Sequence, residues 1–275
     1  MSANEERPDP TGDDARPGFA AQLRLAAVFL TRLPVTIDAG ATPIALARAM
    51  PLFALVGAAI GGLAGLALPV GHAIGLPAGV AVVATLAAML WLTGALHEDG
   101  LADVADGFGG GRDRDRKLAI MRDSRIGSYG VLAPIVAFGL KATALAAIAL
   151  VGPWHAVAAL VAATAWSRSL FAPLMRWLPP ARDDGVGAGA GTPDSGETWR
   201  GVVLGAGLAL LVTLAGAGGG ALLALAAGGI AGFLVGWLAL DHIGGYTGDV
   251  LGAAQQAAET ATLVALSAAM TGGWV

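Results

Sequence analysis

Three aspartates, Asp99, Asp103 and Asp106, lie within the stretch HEDGLADVADG, His97 to Gly107. On a helix, the spacing i, i+4, i+7 puts them within an arc of roughly 60°. Like charges on one stripe repel and weaken the helix, and a hard divalent cation would offset that repulsion. Mg2+ takes such oxygen ligands and commonly shares its shell with substrate phosphates. Glu98 is counted with Asp99, Asp103 and Asp106 as a metal ligand, and His97 flanks the stripe as a candidate for the chemistry itself. Acidic residues also collect where a membrane span meets water. That plainer reading accounts for a single carboxylate better than for three on one stripe.

The stripe is followed by GGGRDRDRKLAIMRDSRIGSYG, Gly109 to Gly130, with Arg112, Arg114, Arg116, Lys117, Arg122 and Arg125. Carboxylates for a metal followed by guanidinium groups for anions is the layout of a phosphoryl-transfer site. Arg112 to Lys117 alternates in sign and reads as a solvated turn. Arg122 and Arg125 are the candidate phosphate ligands, and Asp123 between them is a candidate general base. A further polar island, DHIGGYTGDVLGAAQQAAE, runs from Asp241 to Glu259. There Gly248 would offer a backbone N–H to phosphate, and Asp249 a carboxylate to a metal or a proton. The island PPARDDGVGAGAG, from Pro179, reads as a flexible loop with no chemistry of its own.

The elements that must position these residues are membrane helices. Of 275 residues, 56% are hydrophobic and only 13% charged, which is membrane composition. A span needs roughly 20 apolar residues. Pro51 to Val70, Leu76 to Leu96, Val131 to Val151 and Trp154 to Leu174 qualify, and Gly201 to Leu240 divides in two at AGAGGG. A seventh stretch, Thr260 to Val275, is short, so the fold class is an all-α polytopic protein of six to seven spans. The stripe forms if the second span continues as a helix past the membrane surface. Residues 1–18 are rich in Pro, Asp, Glu and Arg and read as a disordered tail, leaving 19–275 as one integral membrane domain. Gln22 to Leu33 sets Arg24 and Arg32 beside an apolar face, as a helix lying on the membrane would. With no cysteine there is neither disulfide nor thiolate-metal chemistry.

Of the 16 Lys and Arg residues, all but Lys141 and Arg168 lie before the first span or at one set of span ends. By the positive-inside rule the charged face is cytoplasmic. Lys141 and Arg168 fall within spans, where an ionisable group usually faces a polar cavity. They are therefore candidate substrate ligands.

FLTRLPV (Phe29 to Val35), HEDGLADVADG, LAIMRDSRIGSYG (Leu118 to Gly130), Ser167-Arg168, ARDDGVG (Ala181 to Gly187) and GGYTGDVLGA (Gly244 to Ala253) occur in this order. In these motifs the chain resembles the cobalamin synthase family, from about residue 20 to the end. The resemblance implies a multi-pass enzyme of the bacterial inner membrane performing the last assembly step of cobalamin. Adenosylcobinamide-GDP and α-ribazole, or its 5′-phosphate, would give adenosylcobalamin, or its 5′-phosphate, and GMP, with Mg2+ as cofactor. Partners are then those two substrates and the lipid bilayer, with no nucleic acid; a homo-oligomer is left open. Asp99, Asp103 and Asp106 would hold Mg2+ on the pyrophosphate, and Asp123 or Asp249 would accept the proton of the ribazole 5′-hydroxyl. Where the family carries glutamate in LGAxxE, this chain has Gln256, so no charged ligand is assigned there; Glu259 still fits.

Two rivals remain at this point. A CDP-alcohol phosphotransferase motif, D-x-x-D-G-x-x-A-R, is echoed by Asp103, Asp106 and Gly107, but Gly110 and Gly111 occupy its Ala and Arg places. A transporter would use Lys141 and Arg168 as pathway residues, yet the charge lies at one face and no matching halves with broken spans appear.

Overall fold

The computed structural model describes residues 18–36, 43–182 and 190–272, and every regular element among them is a helix. They are α1 (Phe19–Leu30), α2 (Pro43–Ala49), a 3-10 turn (Met50–Leu52), α3 (Phe53–Gly65), α4 (Ala67–Ala73) and α5 (Ala78–Thr93). Then come α6 (Leu96–Gly110), α7 (Arg114–Ile120), α8 (Ser128–Val151), α9 (Pro153–Ser169) and α10 (Phe171–Trp177). The last three are α11 (Ser195–Ala217), α12 (Gly220–Ile243) and α13 (Gly248–Thr271). The expected tail over 1–18 lies outside the described residues save for Gly18, as does most of the loop after Pro179.

Five helical stretches are long and apolar enough to cross a membrane: Leu46–Ala73, Ser128–Val151, Pro153–Trp177, Ser195–Ala217 and Gly220–Ile243. The polytopic helical fold read from the sequence is therefore present. Pro153–Trp177 is the most enclosed of the five, with 78% of its most apolar window buried. Close approach to α9 depends on small residues, as membrane packing generally does. A methyl group added at Gly61 of α3 would meet the Thr164 hydroxyl and lie 2.9 Å from the Leu160 carbonyl oxygen. The helix expected near the N-terminus is α1, which ends at Leu30 because Thr31 is extended. It packs inward, with Phe29 stacked on Phe53 at 5.5 Å. The Arg32 N–H then donates to the Leu92 carbonyl at the end of α5 (2.9 Å).

The second expected span and the helix of the stripe are a bent pair. α5 stops at Thr93, and α6 leaves it at 90° rather than continuing straight. The cause is two consecutive left-handed residues, Gly94 (φ 67°) and Ala95 (φ 59°). Nothing closer than 3.8 Å, on Arg32, faces a methyl group at Gly94, so the cost of alanine there is conformational. Gly94→Ala is expected to lower stability by about 1 kcal/mol, read as a drop in thermal midpoint in detergent. Ala95→Gly should be neutral or slightly stabilising.

The C-terminal stretch is also more than the short apolar run suggests. Thr260 is the middle of α13, a 24-residue helix that starts at Gly248 and is about 36 Å long. Its Gln255, Gln256 and Glu259 are buried, which gives it the length of a span without the hydropathy of one.

Candidate active site

Three polar stretches distant in sequence are tied together at one end of the bundle. The backbone N–H of Ala181 donates to the Tyr246 carbonyl (2.8 Å), and that of Tyr246 to the Pro179 carbonyl (2.9 Å). Arg114 donates through Nε to the Ile243 carbonyl (2.9 Å) and through Nη2 to the Ala181 carbonyl (2.7 Å). Arg114 thus does structural work: it fastens the start of α7 to the end of α12 and to the segment after α10.

The centre of this face is the crossing of α6 and the first turn of α13. A methyl group at Gly100 would stand 2.8 Å from the Asp249 carbonyl oxygen, and one at Gly252 3.2 Å from the His97 Cα. Glycine at both positions lets the two backbones meet, and the contact brings Asp249 to the side of α6 that carries Asp99 and Asp103. The electrostatics report the crowding. Burial, then the charges of Asp99, Asp249 and Asp106, push the Asp103 carboxyl up to about 7, with Arg182 opposing. Burial raises Asp249 as well, against Arg182 and a hydrogen bond from the Thr247 hydroxyl (3.2 Å). Arg122 acts on Asp249 in the same sense as Arg182.

Several expected site residues stand elsewhere. Asp106 is on the stripe, but its two carboxylate oxygens accept the backbone N–H groups of Gly127 (2.6 Å) and Gly130 (2.8 Å). It caps the start of α8 rather than facing a cation freely. Glu98 is turned into the bundle, since neighbours on a helix point about 100° apart; its Oε1 accepts from Gln256 Nε2 (2.9 Å). Asp123 and Arg125 pair with each other on the surface, Nη2 to Oδ2 at 2.6 Å. That contact holds the Asp123 carboxyl down to about 2, which makes it a poor proton acceptor. Among the described residues no three His, Asp or Glu side chains are already gathered as a metal-ligand set.

Lys141 and Arg168 do not open onto this face. Each is 1% exposed, and both meet Glu259, which is fully buried, at 3.1 Å and 3.0 Å. Gln255 Nε2 donates to the same carboxylate (2.7 Å) and to Ser167 Oγ (2.9 Å). Gln256 accepts from Lys141 Nζ (2.7 Å) while donating to Glu98. Accepting on one atom and donating on the other is what an amide can do and a carboxylate cannot.

A cavity of about 240 Å³ opens beside the crossing, with Asp99, Arg182, Gly248, Asp249 and His97 in its lining. Arg182 is the site residue that the sequence reading missed. Its charge acts on both Asp103 and Asp249, and the only signal was its place in ARDDGVG.

A family model described as cobalamin-5-phosphate synthase matches residues 22–267. Among curated proteins, the adenosylcobinamide-GDP ribazoletransferase of Bradyrhizobium diazoefficiens is 45% identical over 92% of this chain and 95% of its own length. That of Azorhizobium caulinodans is 45% identical over 89% of this chain and 94% of its own. The Mesorhizobium japonicum protein of the same name is 43% identical over 90% and 93%. No solved structure matches the chain.

Proposed function

This chain belongs to the cobalamin-5-phosphate synthase family, and on that premise we propose that the crossing of α6 and α13 is its catalytic centre. The enzyme joins adenosylcobinamide-GDP to ribazole and releases GMP. The observation that carries the assignment is the close approach at Gly100 and Gly252, which sets Asp249 against the α6 stripe and gathers Asp99, Asp249 and Arg182 around one cavity.

Mg2+ is commonly held by one or two carboxylates together with substrate phosphates, so no gathered triad is needed here. Asp99, Asp103 and Asp249 are hard oxygen ligands whose mutual repulsion a divalent cation would relieve. Asp99 and Asp103 are the residues to hold it. Bound there, it would supply charge neutralisation on the pyrophosphate. Arg182 and Arg122 add positive charge for the departing GMP, and Gly248, at the start of α13, lines the same cavity, where a helix N-terminus favours an anion.

A cobalamin 5′-phosphate product, for which the family is described, keeps the ribazole 5′-oxygen esterified, so in this reading that oxygen is not the nucleophile that the resemblance led one to expect. A secondary ribose hydroxyl attacks the phosphorus bearing the cobinamide alcohol, and the bond from that phosphorus to the GMP oxygen breaks. Asp249, lifted above the ordinary carboxylate range by burial, accepts the hydroxyl proton. The purified protein, given adenosylcobinamide-GDP and ribazole 5′-phosphate, should form cobalamin 5′-phosphate and GMP in equal amounts. GMP without a corrinoid product would remove the reading.

We also assign this face to the cytoplasmic side of the bacterial inner membrane, supported by the basic residues on α7 and around it. Because the chain has no cysteine, single-cysteine labelling is clean. An impermeant thiol reagent on intact cells should label Ile74→Cys and Gly219→Cys but not Asp115→Cys; the reverse pattern would invert the topology.

A further inference from the structure

α6 leaves α5 at a 90° bend, so its rotation about its own axis is not inherited from a helix running straight through. The crossing with α13 does not set that rotation either. Gly100 and Gly252 let two backbones touch, and a contact between glycines carries no directional bond. Yet the rotation of α6 decides where its carboxylates point.

Glu98 supplies a directional bond. It is half-buried, and its Oε1 accepts from Gln256 Nε2 at 2.9 Å. Gln256 Oε1 accepts in turn from Lys141 Nζ at 2.7 Å, and Lys141 is paired with Glu259 at 3.1 Å. The chain runs from α6 through α13 to α8 and ends on a buried ion pair. Gln256 lies one turn beyond Gly252 on α13, about 6 Å along the axis, so α6 and α13 are joined at two points rather than one. Around α6, Asp99 stands about 100° from Glu98 and Asp103 about 140°. With Glu98 drawn toward Gln256, both are turned away from it, and Asp99 lines the cavity.

Stability does not account for this carboxylate. Its second oxygen, Oε2, is buried without a hydrogen-bond partner, and a buried polar atom left in that state costs at least what a hydrogen bond contributes. Gln256 Nε2 also donates to Gln255 Oε1 (3.0 Å), so it would not be stranded without Glu98. We propose that Glu98 is a positioning residue, whose bond to Gln256 fixes the rotation of α6 and thereby aims Asp99 and Asp103 at the metal. This rests on the Mg2+ site assigned above, and it keeps Glu98 itself out of the metal's shell.

The test uses the full-length enzyme in detergent with adenosylcobinamide-GDP and no acceptor, and follows the thermal midpoint as Mg2+ is added. Metal bound to the folded state raises that midpoint. In Glu98→Leu the Mg2+ concentration for half the rise should increase about 10- to 100-fold, as for lost support behind a metal ligand, while the midpoint without Mg2+ changes little. Glu98→Gln keeps an oxygen for Gln256 and should titrate close to the wild type. Gln256→Met removes the same bond from the other helix and should shift the titration as Glu98→Leu does, which decides the matter if Glu98→Leu does not fold. Equal shifts in Glu98→Gln and Glu98→Leu would make Glu98 a metal ligand and overturn the inference. So would a lower metal-free midpoint with an unshifted titration in Glu98→Leu, the mark of a purely structural bond. A wild-type midpoint that does not respond to Mg2+ would instead remove the metal site itself.

Discussion

Asp103→Asn leaves a folded membrane protein whose turnover is lower by about 100- to 1,000-fold, and the Mg2+ concentration for half activity rises. Asparagine is nearly isosteric, so the helix and its packing survive. What is lost is the carboxylate flanked by Asp99 and Asp249. Asp99→Asn should behave in the same way. Asp106→Asn should not, although it lies on the same stripe. Its two oxygens each accept a backbone N–H at the start of α8, and an amide has only one oxygen to offer. The loss there is of stability, about 1.5–3 kcal/mol for hydrogen bonds to a charged group, with an unshifted Mg2+ titration. Product formation, a metal titration and a thermal midpoint on the three variants separate the roles. Near-normal turnover with an unshifted titration in both Asp99→Asn and Asp103→Asn would remove the metal site.

That contrast also marks how far the sequence could be read. A stripe at i, i+4, i+7 is local information, and it survives in α6 because helix geometry alone decides it. The partner of Asp106 is not local: Gly127 is 21 residues on, and no spacing rule links a carboxylate to the N–H groups of another helix. The bend before α6 was hidden for a different reason. Gly94 is a fair signal for a helix end, but Ala95 is the strongest of helix formers and carries no mark of the left-handed conformation it adopts. Asp249 and Arg182 entered the sequence as residues of two separate islands. Only the crossing at Gly100 and Gly252 makes one of them a neighbour of Asp103, and only the Pro180–Tyr246 contact brings the other near. The family motifs did single out the stretches that meet, while saying little about which side chains within them face one another.

The same limit governs the charges inside the bundle and leads to the second large effect. Lys141 and Arg168 looked like free cations awaiting a phosphate because Glu259 is 118 and 91 residues away from them. In the fold they form a buried cluster of two cations and one carboxylate, so the two ways of breaking it are unequal. Lys141→Met leaves one cation facing one anion, with Gln255 still donating to Glu259. It should cost about 1 kcal/mol, mainly for the Gln256 oxygen that loses its donor. Glu259→Gln leaves two cations at 1% exposure with no directly paired carboxylate, since Glu98 reaches Lys141 only through Gln256. Breaking a buried pair in this way costs about 3–5 kcal/mol, a large part of the roughly 5–15 kcal/mol that holds a typical protein folded. The yield of monodisperse protein and its thermal midpoint should therefore collapse in Glu259→Gln and change little in Lys141→Met. Adding Lys141→Met to Glu259→Gln should restore part of the loss, because one of the two stranded charges is gone. Equal damage from the two single substitutions, or no rescue in the double, would mean that charge balance is not what the cluster contributes.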